Sequence, residues 1–491
     1  MSTYKKISRH KRLVLLFCIL ILFISFCKKK DPTSPSDDIN RQIIILYTND
    51  EHGWMEATET IGGAAGLMGL WRQAEGYKED GPYLILSGGD MWTGPAISTW
   101  FKGQSMVEVM NAMDYSAAAI GNHEFDFKID VLKERMAQST FPYLAANIKS
   151  KHTDALADFT IPYLVKEVNE VKIGIIGLAS TSTPWTTFPD HVADYNFIAY
   201  DTTLREIIPQ VKADGAELLM VVGHIGNSEM QSLVPIAREY GIAVIGGGHT
   251  HEKVASIVDD IAIIESGANM IAYAKVDLIF DIEADTLVQI QAGVYENVGG
   301  TPDPEIEAIV EKWHALMDQE LSQVIGYVNQ EIGQRTNAMF NMVTDSWLYT
   351  YPTADVSLTN TGGIRQSIPS GNITMGTIVG VLPFENSIVK LELTGTQLID
   401  CIGNLIVGGM TTIGGYQLSD GTPIHPDTIY HVLTTDYLYA RSDYNFQLYD
   451  SEPYNTSIHY RQPVIDWIKS LNTSAGNPLD QYLDTNPRQP F

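Results

Sequence analysis

The stretch Ile43-Ile-Ile-Leu-Tyr-Thr-Asn-Asp-Glu-His52 joins an apolar run to a polar group that ends in a carboxylate and an imidazole. Its first part, Ile43 to Tyr47, has the length and the β-branched content of a buried strand. Asp50 and His52 are two residues apart, so on an extended segment their side chains point to the same side. The stretch therefore predicts a buried strand that delivers two potential metal ligands at its carboxyl end.

The same arrangement recurs along the first 300 residues, where short apolar runs alternate with helix-like stretches, as in an α/β fold. Six further runs are Tyr83 to Leu86, Ala117 to Ile120, Lys172 to Ile176, Leu218 to Val222, Ile242 to Ile245 and Ile261 to Ile264. Four of them lead into Gly88-Gly-Asp90, Gly121-Asn-His-Glu-Phe-Asp126, Gly223-His224 and Gly246-Gly-Gly-His-Thr-His251. Because α/β sheets place their sites at the carboxyl ends of strands, these polar residues are predicted to meet.

Residues suited to bind divalent cations are concentrated in these strand-end segments. A lone histidine after a strand is usually a capping or surface residue, and Asp90 alone could be a turn residue. Together, however, they predict a two-metal site, which needs about seven or eight ligands including one bridging carboxylate. The candidate ligands are Asp50, His52, Asp90, Asn122, His224, His249 and His251.

Cysteine contributes nothing to the predicted site. The chain has three cysteines, Cys18, Cys27 and Cys401, and no pair has zinc-finger or redox spacing. Five of the twelve histidines fall in the strand-end segments, and the other seven are expected to be structural or exposed. The site therefore relies on His, Asp and Asn, a ligand set that suits Zn, Mn, Co or Fe.

The ordered set of segments resembles the 5'-nucleotidase family of the calcineurin-like metallophosphoesterases, the type that includes bacterial periplasmic 5'-nucleotidases and UDP-sugar hydrolases. The resemblance extends over nearly all of residues 41–460. It implies two metal ions that share Asp90 as a bridge. One ion would be held by Asp50, His52, Asp90 and His251, and the other by Asp90, Asn122, His224 and His249.

The resemblance also implies an α/β fold of two domains. The first would be a metallophosphoesterase β-sandwich flanked by helices, with four layers in the order α/β-β/α, over residues 41–300. Turn-rich sequence from Gly299 to Pro304 and apolar residues at helical spacing from Glu305 to Gln323 predict a linker helix within residues 301–324. Residues 325–491 would form an α+β 5'-nucleotidase C-terminal domain that binds the substrate.

Within Gly121 to Asp126, the resemblance assigns His123 and Asp126 to a catalytic dyad. The histidine would face the phosphoryl group or the leaving oxygen, and the aspartate would fix its tautomer and orientation. The chemistry agrees, because a carboxylate partner keeps an imidazole cationic and oriented. The alternative is that His123 is a further metal ligand or a brace of the loop.

The C-terminal part carries segments that resemble the family's nucleotide-binding residues, namely Asn360-Thr-Gly-Gly-Ile-Arg365, Pro383-Phe-Glu-Asn386 and the pair Tyr437 and Asp443. The implied substrate contacts are Asn360, Arg365, Phe384, Asn386, Tyr437 and Asp443, with Arg335 as a further arginine on the phosphate side. The base would stack between Phe384 and Tyr437, an arrangement that suits any base. The alternative is that both rings belong to the hydrophobic core.

This segment departs from the family pattern in three places. Tyr437 stands where phenylalanine is usual, and a tyrosine ring should still stack. Arg441 and Ser442 replace the glycine pair that usually precedes the aspartate. Near Arg335, the family's acidic and glycine residues are replaced by Asn337, Met339 and Phe340. The geometry of the substrate-binding wall is therefore left open by the sequence.

The N-terminus has the pattern of an export signal over residues 1–27, in which basic residues precede the apolar run Leu13 to Phe26. Ile24-Ser-Phe-Cys27 resembles a bacterial lipoprotein box, and residues 28–40 have the composition of a disordered tether. Lipid attachment at Cys27, plain cleavage and an uncleaved anchor all export the catalytic part. We therefore expect a periplasmic or cell-surface lipoprotein, or otherwise a secreted protein, attached to a membrane only through this N-terminus.

With 59 acidic and 32 basic residues, the chain has a net charge of −27, which repels nucleic acid polymers. The predicted function is release of phosphate from nucleoside 5'-monophosphates by metal-activated water, with nucleoside diphosphates or nucleotide sugars as further substrates. A 2',3'-cyclic phosphodiesterase, a thiosulfohydrolase-like enzyme and a non-catalytic surface binding protein are the alternatives.

Overall fold

The computed structural model describes residues 39–490. The predicted signal segment, Cys27 and nearly all of the predicted tether lie outside the described residues. Within residues 39–490, no helix is both long enough and apolar enough to cross a membrane.

The first domain contains two six-stranded sheets. The first sheet has the order Thr286–Glu296, Ala272–Asp281, Asn40–Thr48, Tyr83–Ser87, Ala117–Ala119 and Tyr143–Leu144. The second has the order Lys253–Val258, Ile261–Ser266, Ile242–Gly246, Leu218–Gly223, Val171–Leu178 and Tyr163–Val168. Parallel pairing joins the four strands that follow one another from Asn40 to Leu144 and the four central strands of the second sheet. All seven predicted strands are confirmed, and parallel pairing brings their carboxyl ends to the same edge of each sheet.

The strand Asn40–Thr48 shows how the layers are held together. Ile43, Ile45 and Tyr47 pack into the core between the two sheets, whereas Ile44 and Leu46 pack on the opposite face against helices. Burying each such side chain contributes about 1.5–3 kcal/mol, so a strand buried on both faces is well anchored. The outer face of the second sheet packs on helices in the same way. The predicted four-layer α/β-β/α arrangement is confirmed.

The helices of this domain lie on the outer faces and in the loops at the strand ends. They are Gly63–Gln73, Ala96–Thr99, Gln104–Ala112, Lys128–Gln138, Thr183–Thr186, Tyr200–Ala213, Asn227–Ser232 and Val234–Tyr240, with 3-10 turns at His123–Phe125 and Pro189–His191. The short strands Ile148–Ser150 and Tyr195–Phe197 pair with each other. Loops and short helices thus surround the edge at which the strands end.

A long helix, Pro304–Leu321, follows the first domain. Pro304 occupies its first turn, and the Asp303 carboxylate accepts hydrogen bonds from the backbone amides of Glu305 and Ile306, which satisfies donors that a helix start leaves unpaired. Leu321, near its end, packs with Ala96 of the first domain and Val379 of the second. The helix therefore contacts both domains.

The second domain has a five-stranded mixed sheet with the order Ile406–Gly408, Val356–Thr359, Ile429–Thr435, Ser387–Thr394 and Tyr454–His459. Its helices are Asn337–Thr350, Met375–Val381, Gly395–Ile402, Asp436–Ala440, Phe446–Tyr449 and Gln462–Ser470, with 3-10 turns at Thr361–Gly363, Ser442–Tyr444 and Leu479–Tyr482. Two-stranded pairs join Val324–Val328 to Gly371–Thr374 and Met410–Thr411 to Gln417–Leu418. Separate hydrophobic clusters cover the two faces of the sheet, so the predicted α+β second domain is confirmed.

Candidate active site

The strand ends of the first domain bring the candidate ligands together. Three groups of ionisable side chains have ligand atoms within 4.8 Å of one another. The groups are Asp50, His52 and His251; His52, Asp90 and His123; and Asp90, His224 and His249. Asp90 and His52 each belong to two of these groups, and Asp90 is the one carboxylate of the pair, as a bridging ligand would be.

Five of the seven candidate ligands have an unusual backbone. Asp50, His52, Asp90, His249 and His251 all have positive φ, between 45° and 75°. A residue other than glycine in this region costs about 1–3 kcal/mol and persists only where its surroundings fix it. Left-handed turns at the ends of strands therefore aim these side chains inward, away from the direction that the strand would continue.

The first ligand group is compact. His251 Nε2 lies 3.2 Å from Asp50 Oδ1 and 3.2 Å from His52 Nε2. Two ring nitrogens that carry no hydrogen cannot form a hydrogen bond with each other, but each can donate a lone pair to a cation that lies between them. The side chain of His251 is 43% exposed, so this group opens to solvent while Asp50 and His52 are buried.

The second ligand group is arranged around Asp90. Its carboxylate Oδ2 lies 3.0 Å from His224 Nε2, and His224 Nε2 lies 3.1 Å from His249 Nδ1. On its other side, the His224 ring donates from Nδ1 to the Gly88 carbonyl at 2.9 Å. This second bond places a proton on Nδ1 and directs Nε2 towards Asp90 and His249, as is usual for metal-binding histidines.

Two orphaned oxygens fit the same interpretation. Among residues 39–490, Asp50 Oδ1 and Asn122 Oδ1 are buried and have no hydrogen-bond partner. An unpaired buried polar atom costs about 1–3 kcal/mol, so each needs a partner. A divalent cation held by His, Asp and Asn would supply that partner for both.

The electrostatics of the site also favour cations. Burial lowers the pKa of His224, but the carboxylates of Asp90 and Asp50 outweigh it and raise that pKa to about 10. Burial, together with the neighbouring His224, lowers the pKa of His249 to about 4. A strongly negative pocket with one imidazole held neutral is suited to a metal ion.

Three buried glutamates that the sequence reasoning missed support the ligand turns. Glu124 accepts hydrogen bonds from the backbone amides of Asp90, Met91 and Gly121 at 2.7–2.9 Å. Glu51 accepts from Ser87 at 3.0 Å, and Glu265 accepts from Thr250 at 2.9 Å. Burial raises the pKa of Glu51 and Glu265 to about 8 and that of Glu124 to about 7. The position of Glu124 inside Gly121 to Asp126 was the one available signal.

His123 and Asp126 form a close pair. His123 Nδ1 lies 2.7 Å from Asp126 Oδ2, and Nε2 of the same ring lies 3.9 Å from Asp90 Oδ2. Burial alone would lower the pKa of His123, but Asp126 and Asp90 raise it above its ordinary value. The imidazole is thus held by a carboxylate on one side and directed towards the ligand cluster on the other.

A cavity of about 900 Å³ adjoins the ligand cluster. Its N-terminal wall includes Asp90, Asn122, His123, Asp126, His249 and His251. Its C-terminal wall includes Asn360, Arg365, Phe384, Asn386, Tyr437 and Arg441. The cavity therefore lies between the two domains and connects candidate ligands to candidate substrate contacts.

Two residues of the C-terminal wall contact the N-terminal wall directly. The Phe384 ring stacks on the His123 ring, with centroids 5.7 Å apart and planes at 23°. Arg365 Nη2 lies 3.2 Å from His52 Nε2, and its guanidinium lies 6.0 Å from the centroid of the Phe384 ring. A cationic group and an aromatic ring from the second domain thus reach the ligand cluster.

Two predicted substrate contacts are not on the cavity wall. Arg335 is exposed and does not line the cavity; it precedes Thr336, whose hydroxyl caps the helix Asn337–Thr350. The side chain of Asp443 is 51% exposed, and its carboxylate is paired with the Arg441 guanidinium. In this structure Arg441, and not Asp443, lines the cavity.

The segment from Ser180 to His191 was not predicted to contribute. Within it, Ser182 Oγ lies 3.2 Å from His249 Nε2, the Thr186 carbonyl accepts from Asn122 at 3.3 Å, and Thr187 donates to Asp126 at 3.2 Å. His191, expected to be structural or exposed, lines the cavity and has its Nδ1 2.8 Å from the Phe125 carbonyl. This segment carries no ligand spacing or glycine pattern, so the sequence offers no signal for it.

Comparison with known proteins agrees with this arrangement. A model of the calcineurin-like phosphoesterases matches residues 43–253, and a model of the 5'-nucleotidase C-terminal domain matches residues 322–412. A cell wall protein of Listeria monocytogenes is 23% identical, with 82% of this chain and 63% of that protein covered. Human 5'-nucleotidase is 28% identical, with 73% of this chain and 70% of that protein covered.

Solved structures share the fold. The 5'-nucleotidase precursor of Thermus thermophilus matches with a TM-score of 0.78 and 20% identity, covering 91% of this chain and 99% of that one. Measured against the sequence relatives, this chain spans 63% of the length of the Listeria protein and 70% of the human one. The first matched domain contains the ligand cluster, and the second contains part of the C-terminal wall. The chain belongs to the calcineurin-like phosphoesterases that carry a 5'-nucleotidase C-terminal domain, a family of metal-dependent phosphoester hydrolases.

Proposed function

We propose that this chain is an exported hydrolase that releases phosphate from nucleoside 5'-monophosphates, with two divalent cations. The observation that carries the proposal is the single cavity that joins the ligand cluster to Phe384 and Tyr437 of the second domain. The ligand cluster suits a phosphoryl group, and aromatic rings suit the base of a nucleotide. The names of the human and Thermus relatives support the same substrate class.

Two ligand sets would hold the cations. Asp50, His52, Asp90 and His251 form one set, and Asp90, Asn122, His224 and His249 form the other; both sets draw on the close groups described above. When bound, two divalent cations lower the pKa of a water molecule and neutralise phosphoryl charge. The orphaned oxygens of Asp50 and Asn122 support this assignment. Ligation by His, Asp and Asn is compatible with Zn, Mn, Co or Fe.

His123 would act as the protonated group that faces the phosphoryl oxygens or the leaving oxygen. Its Nδ1–H donates to Asp126, so its Nε2–H is free to donate to the substrate. Burial opposes the charged ring, but Asp126 and Asp90 outweigh it and raise the pKa of His123, which favours the protonated form. A positioned acid of this kind contributes typically 10²- to 10⁴-fold to a rate.

The C-terminal wall would hold the rest of the nucleotide. Arg365, close to His52, adds positive charge where phosphoryl oxygens would lie. Phe384 and Tyr437 offer aromatic faces to the base, while Asn360 and Asn386 offer amide groups for hydrogen bonds. The second domain thereby selects the nucleoside, whereas the first performs the hydrolysis.

We also propose that the mature protein is exported, as a periplasmic or cell-surface lipoprotein if Cys27 is lipidated and as a secreted protein otherwise. The basic and apolar pattern of residues 1–27 supports export. The Listeria relative is described as a cell wall protein, which supports a site outside the cytoplasm. Radiolabelled palmitate incorporation that disappears in Cys27→Ser would distinguish lipid attachment from plain cleavage.

The proposed activity is tested with purified residues 39–491 loaded with manganese or zinc. Phosphate release would be measured with AMP, UMP and p-nitrophenyl phosphate. Cleavage of the diesters would be followed as nitrophenol released from bis-p-nitrophenyl phosphate and as the monophosphate formed from 2',3'-cyclic AMP. We expect kcat/KM for the nucleoside monophosphates to exceed that for p-nitrophenyl phosphate by about 10-fold or more, since stacking of a base contributes about 1–3 kcal/mol. Equal rates on AMP and p-nitrophenyl phosphate would instead indicate a general phosphatase, and preference for the diesters a phosphodiesterase.

A further inference from the structure

Arg441 makes an unusual set of contacts at the boundary between the domains. Its guanidinium donates from Nε to Asp443 Oδ1 at 2.9 Å and from Nη2 to Asp443 Oδ2 at 2.5 Å. Its Nη1 donates to the Tyr437 hydroxyl at 2.8 Å and to the Trp185 carbonyl at 2.7 Å. One side chain thus contacts two of the residues that the family resemblance assigned to substrate binding, Tyr437 and Asp443, and also the opposite domain.

We infer that Arg441 is a positioning residue for nucleoside recognition, one that holds Tyr437 and Asp443 in place and fixes both to the first domain through Trp185. The inference rests on the proposed nucleotidase function and deepens it. Asp443 lies off the cavity wall, and Arg441 takes the wall position, so the carboxylate acts on the site through Arg441.

Burial separates this contact from an ordinary surface ion pair. The side chain of Arg441 is 17% exposed, whereas that of Asp443 is 51% exposed, so the guanidinium is the inner partner. The guanidinium carbon also lies 5.6 Å from the centroid of the Tyr437 ring and 5.4 Å from that of Tyr444. Exposed ion pairs contribute little to stability, but a bidentate guanidinium between two rings has a defined geometry.

The hydroxyl of Tyr437 and the guanidinium of Arg441 depend on each other. A phenylalanine at 437 could stack on a base but could not accept the Nη1 hydrogen bond. A glycine at 441 would have no side chain to donate this hydrogen bond. The two departures from the family pattern therefore form one interacting pair, which fixes the ring plane that the base would meet.

Trp185 extends this pair to the catalytic side. Its carbonyl accepts from Arg441 and, at 3.3 Å, from the Tyr437 hydroxyl. The neighbouring Thr186 and Thr187 contact Asn122 and Asp126. Arg441 thus connects the nucleoside side of the cavity with the segment that contacts the candidate ligand and the dyad.

The test compares wild type with Arg441→Ala, Arg441→Lys, Tyr437→Phe and the double variant Arg441→Ala/Tyr437→Phe. For Arg441→Ala we expect KM for AMP to rise by about 10-fold, the size of one lost charge-assisted hydrogen bond, and to rise more than kcat falls. Arg441→Lys should recover part of this loss, because lysine keeps the charge but not the bidentate geometry. Adding Tyr437→Phe to Arg441→Ala should change KM by less than about twofold, because residues in one network are not additive.

Arg205→Ala is the matched control. Arg205 also donates to both oxygens of a carboxylate, Glu239, and lies 5.9 Å from the centroid of a tyrosine ring, Tyr240, but on the exposed face of a helix of the first domain. Its removal should leave the ratio of AMP to p-nitrophenyl phosphate kcat/KM as in wild type. Circular dichroism and thermal unfolding would establish that each variant is folded.

Two outcomes would overturn the inference: a wild-type ratio of AMP to p-nitrophenyl phosphate kcat/KM in Arg441→Ala, including the case in which both values fall equally, or fully multiplicative effects of the two single changes. If wild type hydrolyses AMP no better than p-nitrophenyl phosphate, the proposed nucleotidase function fails and the inference falls with it. If wild type prefers AMP and Arg441→Ala keeps that preference, only the role of Arg441 fails.

Discussion

At and behind the N-terminal wall of the cavity, candidate ligand atoms of Asp90, His224, His249 and their neighbours lie 3.0–3.2 Å apart, on turns held by buried glutamates. On the C-terminal wall, Phe384 and Arg365 meet at 6.0 Å, and Tyr437 is held by a guanidinium at its hydroxyl. The first wall is fixed by short polar contacts and the second by aromatic and cationic packing. Changes on the first wall should therefore affect turnover, and changes on the second should affect which substrate is bound.

The largest effect is expected from Asp90→Ala. Asp90 belongs to two of the three ligand groups, so its removal should weaken both metal sites and lower kcat by about 10³-fold or more, the equivalent of several kcal/mol of charge stabilisation. Metal content by mass spectrometry and AMP hydrolysis would be measured together. A variant that keeps two metals and near-normal kcat would contradict the bridging role. Asp277→Ala, a carboxylate outside the ligand groups, is the control.

The next effect separates the dyad from the ligands. His123→Ala should keep its metal and lose about 10²- to 10⁴-fold in kcat, because a positioned acid is removed while the ligand groups of Asp50 and His224 remain. Asp126→Asn should lose less, since the ring stays but its orientation and charge are weakened. If His123→Ala lost its metal instead, His123 would be a ligand. Unchanged turnover would exclude any catalytic role.

A smaller effect should appear on the second wall. Phe384→Ala is expected to raise KM for AMP by about 10-fold, since a stacked base contributes about 1–3 kcal/mol. The same change should alter KM for p-nitrophenyl phosphate by less. Phe384→Tyr keeps an aromatic face and serves as the matched variant. Because Phe384 also stacks on His123, a fall in kcat without a rise in KM would show that the ring supports the catalytic wall instead.

The smallest effect is expected at the helix Pro304–Leu321, which contacts both domains. His314 of Pro304–Leu321 has Nδ1 2.5 Å from Glu56 and Nε2 3.2 Å from Asp318, and the bond to Glu56 raises its pKa. Because the pKa of His314 is raised in the folded state, the protonated ring stabilises the fold fully below about pH 6.5, the pKa of an unperturbed histidine. This stabilisation is lost as the pH rises through the raised pKa.

His314→Ala should therefore lower the free energy of unfolding at pH 5.5 by a few tenths of a kcal/mol, the size typical of exposed pairs, and have less effect at pH 9. Urea unfolding at both pH values would measure the difference. His152→Ala, whose partner Asp194 lies in the same domain, is the control. A larger loss at pH 9 than at pH 5.5 would contradict the assigned sign.

The sequence predicted the strands and the convergence of the ligand residues because both depend on local pattern. The strand Asn40–Thr48 is apolar and buried from Ile43 to Tyr47, and the polar ligand residues follow shortly after this run. Glu51 and Glu265 were missed because a glutamate is ordinarily expected to face solvent. Only the folded chain shows the backbone amides and hydroxyls that donate hydrogen bonds to these two side chains. The segment from Ser180 to His191 was missed because its contacts are made largely by backbone carbonyls and hydroxyls, which any sequence can supply.

The second wall was harder to predict, because its geometry depends on contacts between the domains. The sequence identified Arg441 only as a departure from a glycine pair, and Tyr437 only as a substitute ring. That these two residues bond to each other and to Trp185 follows from the placement of two domains, which local pattern does not encode. The roles of the individual site residues remain predictions that the variants above address.

The left-handed turns that carry Asp50, His52, Asp90, His249 and His251 also have a consequence for folding. These residues come from three strand ends between residues 50 and 251, so the cluster exists only after both sheets have paired. A slip of one residue in the register of any of these strands would turn the strand's core side chains outward and move the following ligand away from the cluster. The affinity for cations therefore depends on the register of the sheets, and a chain with a shifted strand would be recognised by its failure to retain metal.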